Sequence, residues 1–236
     1  GQIVGSGKLR VGELLETDQS SRARVEVGLI GHVDIEPNSR IRLIDAKLTD
    51  HRLALEQGTI HATIWAPPRL FFVQTPSALA VDLGCVYTLH VDSTGASILE
   101  VTSGWVALEF GDRESIVPAG NICATRPGFG PGTPHREDGS EQFKQALTRY
   151  DFEHGGLDAL TTVLAHARNM DSITLWHLLF REAGDTRALV YDRLAELVPA
   201  PEGVTRNGVL QGDADMVKAW QKHLNLGVKP WWKFWQ

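Results

Sequence analysis

Nine histidines, two cysteines and 29 acidic residues are the side chains from which this sequence would have to build a metal or catalytic site. His32, His51, His61 and His90 fall in the first half, and no two of them stand one residue apart. A strand-borne metal site of the His-x-His kind needs that spacing, because alternate strand residues share a face. His-Glu-x-x-His is absent, and His166 and His177 are not i, i+4 partners on a helix. Surface or strand-edge histidine is therefore the expectation, with no metal and no cofactor. No Gly-x-Ser-x-Gly elbow offers an activated serine, and Cys85 sits in mid-strand pattern rather than at an exposed turn. Gly5-Ser6-Gly7-Lys8 lacks the upstream glycine and the Ser or Thr after lysine of a phosphate loop, since those positions hold Gln2 and Leu9. It reads as a tight turn into a strand. The residue chemistry points away from an enzyme and predicts no catalytic residue.

The elements that would carry these side chains come in two kinds. Residues 1–126 read as short strands and turns. Ala23, Val25 and Val27 alternate with Arg22, Arg24 and Glu26, while Val33/Ile35 and Ile41/Leu43 flank the turn-forming Pro37-Asn38-Ser39. Val81, Leu83, Cys85, Tyr87, Leu89 and Val91 occupy every second position, the pattern of one half-buried strand with its turn at Asp92–Gly95. Leu53–Ala62 and Leu99–Leu108 share the form apolar-x-apolar-x-x-Gly-x-apolar-x-apolar, and in each the apolar phase changes parity at the glycine. A parity change sends the following side chains to the other face unless the backbone bends there, and glycine suits the bend. The expected architecture is a curled sandwich or a stack of β-coils.

Residues 127–139 are rich in glycine and proline and read as a linker, with ordered irregular chain packed on the strand half through Phe129 as the alternative. From residue 140 to 236 the apolar period becomes that of helices, predicting an all-α domain. The stripes are Phe143/Ala146/Leu147/Tyr150, Leu157/Leu160/Leu164/Ala167, Trp176/Leu179/Phe180, Val190/Leu194/Leu197/Val198 and Met216/Trp220/Leu224. Asp171-Ser172, Asp185 and Asp213 or Asp215 are candidate helix caps, and Pro199 is a stop. The last residues, Lys229-Pro230-Trp231-Trp232-Lys233-Phe234-Trp235-Gln236, concentrate four aromatics. Trp231, Trp232, Phe234 and Trp235 are expected to dock on the helical domain, with a partner surface or a membrane interface as the competing readings.

A net charge of −6, a hydrophobic share of 42% and a charged share of 22% fit an ordinary soluble protein and argue against nucleic acid as a partner. The apolar runs Leu70–Val73 and Ile173–Phe180 are too short to span a bilayer, and no signal-peptide pattern opens the sequence.

Five motifs in order carry a family resemblance: Gly5-Ser6-Gly7, the Leu53–Ala62 unit, Phe72-Val73-Gln74-Thr75-Pro76 with Val81–Tyr87, Val101–Val106, and Val117-Pro118-Ala119-Gly120. Over roughly residues 3–126 the chain resembles the FecR domain, the β-rich periplasmic module of membrane-anchored regulators. The resemblance implies envelope signalling of a sensory or anti-sigma type, through protein partners, in the periplasm or another extracytoplasmic compartment. It implies no catalytic residues, and places the membrane anchor outside this chain. The helical half departs from the family members that end in a small mixed α/β domain. The competing reading is a scaffold or binding module for cell-surface polymer. Export would also permit a disulfide between Cys85 and Cys123; two buried free thiols are the alternative. Oligomeric state is open at this point.

Overall fold

The computed structural model describes residues 5–226. The chain divides into two compact units, the first ending at Gly132 and the second starting at Thr133. The first is built of strands β1 (Leu14–Glu16), β2 (Ala23–Val27), β3 (Gly31–Ile35), β4 (Arg40–Lys47), β5 (Asp50–Ile64), β6 (Phe71–Gln74), β7 (Leu79–Asp82), β8 (Val86–Val91), β9 (Ser97–Ser103), β10 (Trp105–Phe110), β11 (Arg113–Pro118), β12 (Asn121–Arg126) and β13 (Gly130–Pro131).

The strands form two sheets that share β5. The first sheet runs β1-β4-β5-β6-β7-β10-β11 and the second β2-β3-β5-β8-β9-β12-β13. Up to Gln57 the long strand β5 pairs with β4, and residues 51–54 of it also pair with β6; from Gly58 onward it pairs with β3 and β8. The bend falls at Gly58, whose φ is +98°; a Cβ there would overlap Ser39. The second copy of the motif makes the same crossing in the opposite sense. β9 lies in the second sheet, β10 in the first, and Gly104 at φ +74° stands between them, where a Cβ would collide with the Gly84 carbonyl. Inward residues change from Leu53 and Leu55 to Ile60 and Ala62, and from Leu99 and Val101 to Val106 and Leu108. The parity change is thus the signature of a strand leaving one sheet for the other, which makes the unit a curled sandwich and not a stack of coils.

One expected strand is two. The alternation from Val81 to Val91 is cut at Leu83–Cys85, with β7 in the first sheet and β8 in the second. Inward residues switch here as well, from Ala80 to Cys85, Tyr87 and Leu89, across Gly84 at φ +88°. The switch is invisible in the sequence because Val81 and Leu83 belong to a separate apolar cluster on the outer face of the first sheet. A row of that cluster crosses four strands in register, Phe72–Val81–Ala107–Ile116.

The core between the sheets holds Ile35, Ile41, Leu55, Ile60, Phe71, Tyr87, Leu89, Leu99 and Leu108 at 2% exposure or less. Each such side chain contributes about 1.5–3 kcal/mol of transfer free energy. Gly5–Arg10 form no strand, so the expected turn leads instead into irregular chain, and β1 begins only at Leu14.

The segment expected as a linker is largely ordered. Gly130 and Pro131 pair with β12, and Gly130–Pro134 are buried. Thr133 is tied into the second unit through its N–H and hydroxyl, which donate to Asp151 at 2.6 and 2.9 Å, and Thr174 donates to the Pro134 carbonyl.

That unit contains α1 (Glu141–Phe152), α2 (Gly156–His166), a 3-10 turn (Asn169–Asp171), α3 (Ser172–Arg181), α4 (Gly184–Leu197), α5 (Arg206–Gln211) and α6 (Ala214–His223). Ser140 caps α1 and Asp213 caps α6 through side-chain oxygens. Asp171 stands at the N-cap position of α3 without a side-chain bond to that helix, its carboxylate instead accepting from the Arg168 backbone and guanidinium across the 3-10 turn, and Asp185 lies inside the first turn of α4. The second stripe is shifted, since Leu157 is exposed while Ala159, Leu160 and Val163 are fully buried. Helix α5, capped by Thr205, has no counterpart among the expected helices. Trp220 sits at the centre of this core, edge-on to Trp176 and Tyr191.

Candidate functional site

The two seams of the sandwich are unlike each other. At one, β13 pairs with β12, the Gly132 N–H donates to the Ala124 carbonyl, and the Ser115 hydroxyl of β11 donates to the Gly132 carbonyl at 2.7 Å. Those bonds join the two sheets. At the other seam, β1 pairs only with β4 and β2 only with β3 among the described residues. Between these two edges lies an open cleft of about 1540 Å³. Its floor is formed by Leu15, Val25, Leu43, Leu53 and Phe71, and Gly5–Leu9 run along it. Leu15, Ala23, Val25 and Leu43 point toward the core yet remain only partly buried. An edge strand presents N–H and C=O groups ready to pair, and apolar side chains beside it add a hydrophobic gain.

The rim is charged. Arg24 holds Asp34 through two bonds of 2.5 and 2.8 Å, and Arg22 holds Glu36 at 2.8 Å. The Arg24 guanidinium keeps the Asp34 carboxyl below the usual carboxylate range. On the β1 side Arg40 pairs with Glu16 at 2.7 Å. Glu26 enters none of the ion pairs formed among the described residues.

A second constellation lies inside the sandwich, at the corner between β7 and β8. Asp82 is 1% exposed, and its carboxylate accepts from the Gly84 N–H at 2.7 Å and the Cys85 thiol at 2.5 Å. Burial pushes the carboxyl up to about 7, against the two hydrogen bonds that favour its charge. Burial also raises the Cys85 thiol, and the Asp82 charge adds to that. The Tyr87 hydroxyl, buried beside them, has no hydrogen-bond partner among the described residues. A thiol held protonated by burial is a poor nucleophile.

Cys123 does not join it. The thiol is fully buried, which assigns the inward position to Cys123 and the half-buried one to Ile122, and it lies near the Gly132 carbonyl at 3.4 Å. Both cysteines are thiols in this structure, with no disulfide between them. The register explains it: Cys123 is level with Leu99 and Leu89, two strands across and four residues along from Cys85. That offset corresponds to ~16 Å from strand spacing and rise, against the roughly 7 Å limit for a bridge.

Three of the four β-half histidines share the outer face of the second sheet. His61 bonds Thr88 at 2.9 Å and His90 bonds Thr59 at 2.8 Å, while His32 meets the half-exposed Trp65 edge-on. Among the described residues no three His, Cys, Asp or Glu side chains are placed to hold a metal. Trp231, Trp232, Phe234 and Trp235 lie outside the described residues.

Reading by spacing misses Asp82, which falls on what looks like the polar side of a continuous strand. The available signal is the pair of consecutive apolar runs Phe71–Val73 and Val106–Leu108, which mark strands covered on both faces. The edges of β1 and β2 that are unpaired among the described residues leave no such trace, because pairing partners are set by topology.

Residues 13–107 match the family model described as FecR protein. The match runs from just before β1 to the middle of β10, so Gly5-Ser6-Gly7 and Val117–Gly120 fall outside it. None of the curated proteins compared with the chain matches it. Two solved structures, each described as a "putative anti-sigma factor from Parabacteroides distasonis ATCC 8503", are similar to it. One is 15% identical with a TM-score of 0.46, over 58% of this chain and 65% of that one. The other is 14% identical with a TM-score of 0.46, over 58% and 64%. The chain thus spans less than two thirds of the length of the structures it matches. Among the described residues no helix is long and apolar enough to cross a membrane.

Proposed function

We propose, from the FecR match over residues 13–107, that this chain is a non-enzymatic regulatory protein of the cell envelope that acts through protein contacts. The observation that carries the reading to a place on the molecule is the open seam, with strand edges unpaired among the described residues and a half-buried apolar floor. A surface of this kind recognises polypeptide, since backbone pairing supplies affinity and alternate side chains supply selectivity. The periplasm is the compartment the family match favours.

The test is a photo-crosslinking residue placed at Leu43 on the cleft floor, and at Thr88 on the opposite face as control, in cells producing the chain. Expected is a defined protein adduct at Leu43 and none at Thr88. Adducts at Thr88 alone, or none at either, would sink the reading.

One observation favours the alternative of a polymer-binding module. Trp65 is 56% exposed beside His32, and the outer face that carries His32 also bears the polar pairs His61–Thr88 and Thr59–His90. Co-sedimentation with purified cell-surface polysaccharide, lost in Trp65→Ala, would support that module in place of the regulator.

A further inference from the structure

Among the described residues β2 pairs on one side only, with β3, and its other edge reads Ala23-Arg24-Val25-Glu26-Val27, an order self-complementary about Val25. Two such edges laid antiparallel about a two-fold axis at Val25 place Arg24 opposite Glu26 of the second copy, twice. The same register sets Ala23 against Val27 and Val25 against itself. We propose that β2 pairs with β2 of a second copy of this chain, joining the second sheets of two molecules into one continuous sheet. The inference rests on the reading of the open seam as a protein-contact surface, and names the occupant of its β2 side.

Three observations point to a second copy over an unrelated strand. The first is charge order. Across the joint, the outward row runs His61, Asp34 and Arg24 in one molecule, then Glu26, His32 and Thr63 in the other. Acid and base alternate through the junction, and Glu26, which lacks an ion-pair partner among the described residues, acquires one. The second is apolar cover. Ala23 and Val25 face the core but stay partly exposed, β2 being the last strand of this sheet among the described residues, and a further strand would close over them. The third is symmetry: an isologous two-fold contact needs one self-complementary patch, and this five-residue edge is one. Leu29, 97% exposed at the β2–β3 hairpin tip, lies at the end of the same edge.

Charge reversal with mixing tests the register. Glu26→Arg makes both facing positions basic, and Arg24→Glu makes both acidic, so each alone sets like charges opposite each other. Sedimentation equilibrium of the full chain is expected to show a concentration-dependent dimer for the natural sequence. Each single variant should dissociate about tenfold to a hundredfold more readily. An equimolar mixture of the two should recover the dimer as a heterodimer, because the edge with two basic side chains then faces the edge with two acidic ones. Misfolded variants would not be rescued by mixing. A natural chain that stays monomeric at all concentrations, or single variants that dimerise as well as it does, overturns the proposal. If the chain is monomeric while Leu43 still yields a protein adduct, self-pairing fails and the reading of the seam stands; loss of both removes both.

Discussion

At Asp82 the fold carries a carboxyl whose ionised form it disfavours, at about 7 against an ordinary value of 3.8. Between those values the folded state holds a proton that the unfolded state has released. Stability from this group is therefore greatest in acid and falls as pH rises from about 4 to about 7, by on the order of 4 kcal/mol. Asp82→Asn keeps an acceptor for the Gly84 N–H and removes the titration. The variant should be more stable than the natural chain at pH 8, with a smaller gap at pH 5, measured as urea midpoints of the sandwich. His135 acts in the opposite sense in the helical unit. Burial lowers its pKa, so falling pH charges it in the unfolded state first and destabilises that unit below about pH 6.5. Comparing variant and natural chain at each pH removes that contribution. Asp82 was illegible in the sequence because Val81 and Leu83 imitate the inward phase of a single strand while packing on the other side of the sheet.

At the scale of elements, the sandwich depends on backbone corners at Gly58, Gly84 and Gly104. Gly58→Ala or Gly104→Ala adds a Cβ that meets Ser39 or the Gly84 carbonyl, at a φ that L residues rarely adopt. Either change is expected to abolish native β structure, read by far-UV circular dichroism and loss of the urea transition. Gly111→Ala, at φ +56° with nothing within 4 Å, is the control and should cost only about 1 kcal/mol. Two of these corners were legible, because Leu53–Ala62 and Leu99–Leu108 show the parity change directly. What they did not show is which strands pair across the sheets, since β5 meets β3, β4, β6 and β8 through register and topology alone. In the helical unit, Ser140 and Asp213 behave as caps by local hydrogen bonding. Leu157 escapes its stripe because a helix face is chosen by its neighbours, and periodicity alone admits a rotation of one residue.

On the scale of the whole chain, two units with separate cores predict separable damage. Trp220 is fully buried against Trp176 and Tyr191, so Trp220→Ala should cost the helical unit about 3–5 kcal/mol. Hydrogen exchange is expected to show lost protection across α3, α4 and α6, with β8 and β9 unchanged. Equal loss in both units would show that they stand or fall together. The change from strand to helix was plain in the sequence, and the division falls at Gly132 and Thr133 within the stretch read as a linker. Composition left two readings of that stretch, linker or ordered chain, because glycine and proline serve a linker and a strand that closes a seam equally well, and the structure gives the ordered one. The two thiols supply a clock for such openings. Cys85 is held in the Gly84 corner and Cys123 beneath the closed seam, at 2% and 0% exposure. An alkylating reagent reaches either only when its surroundings part, so the two labelling rates time the opening of two separate corners of one core within a single molecule.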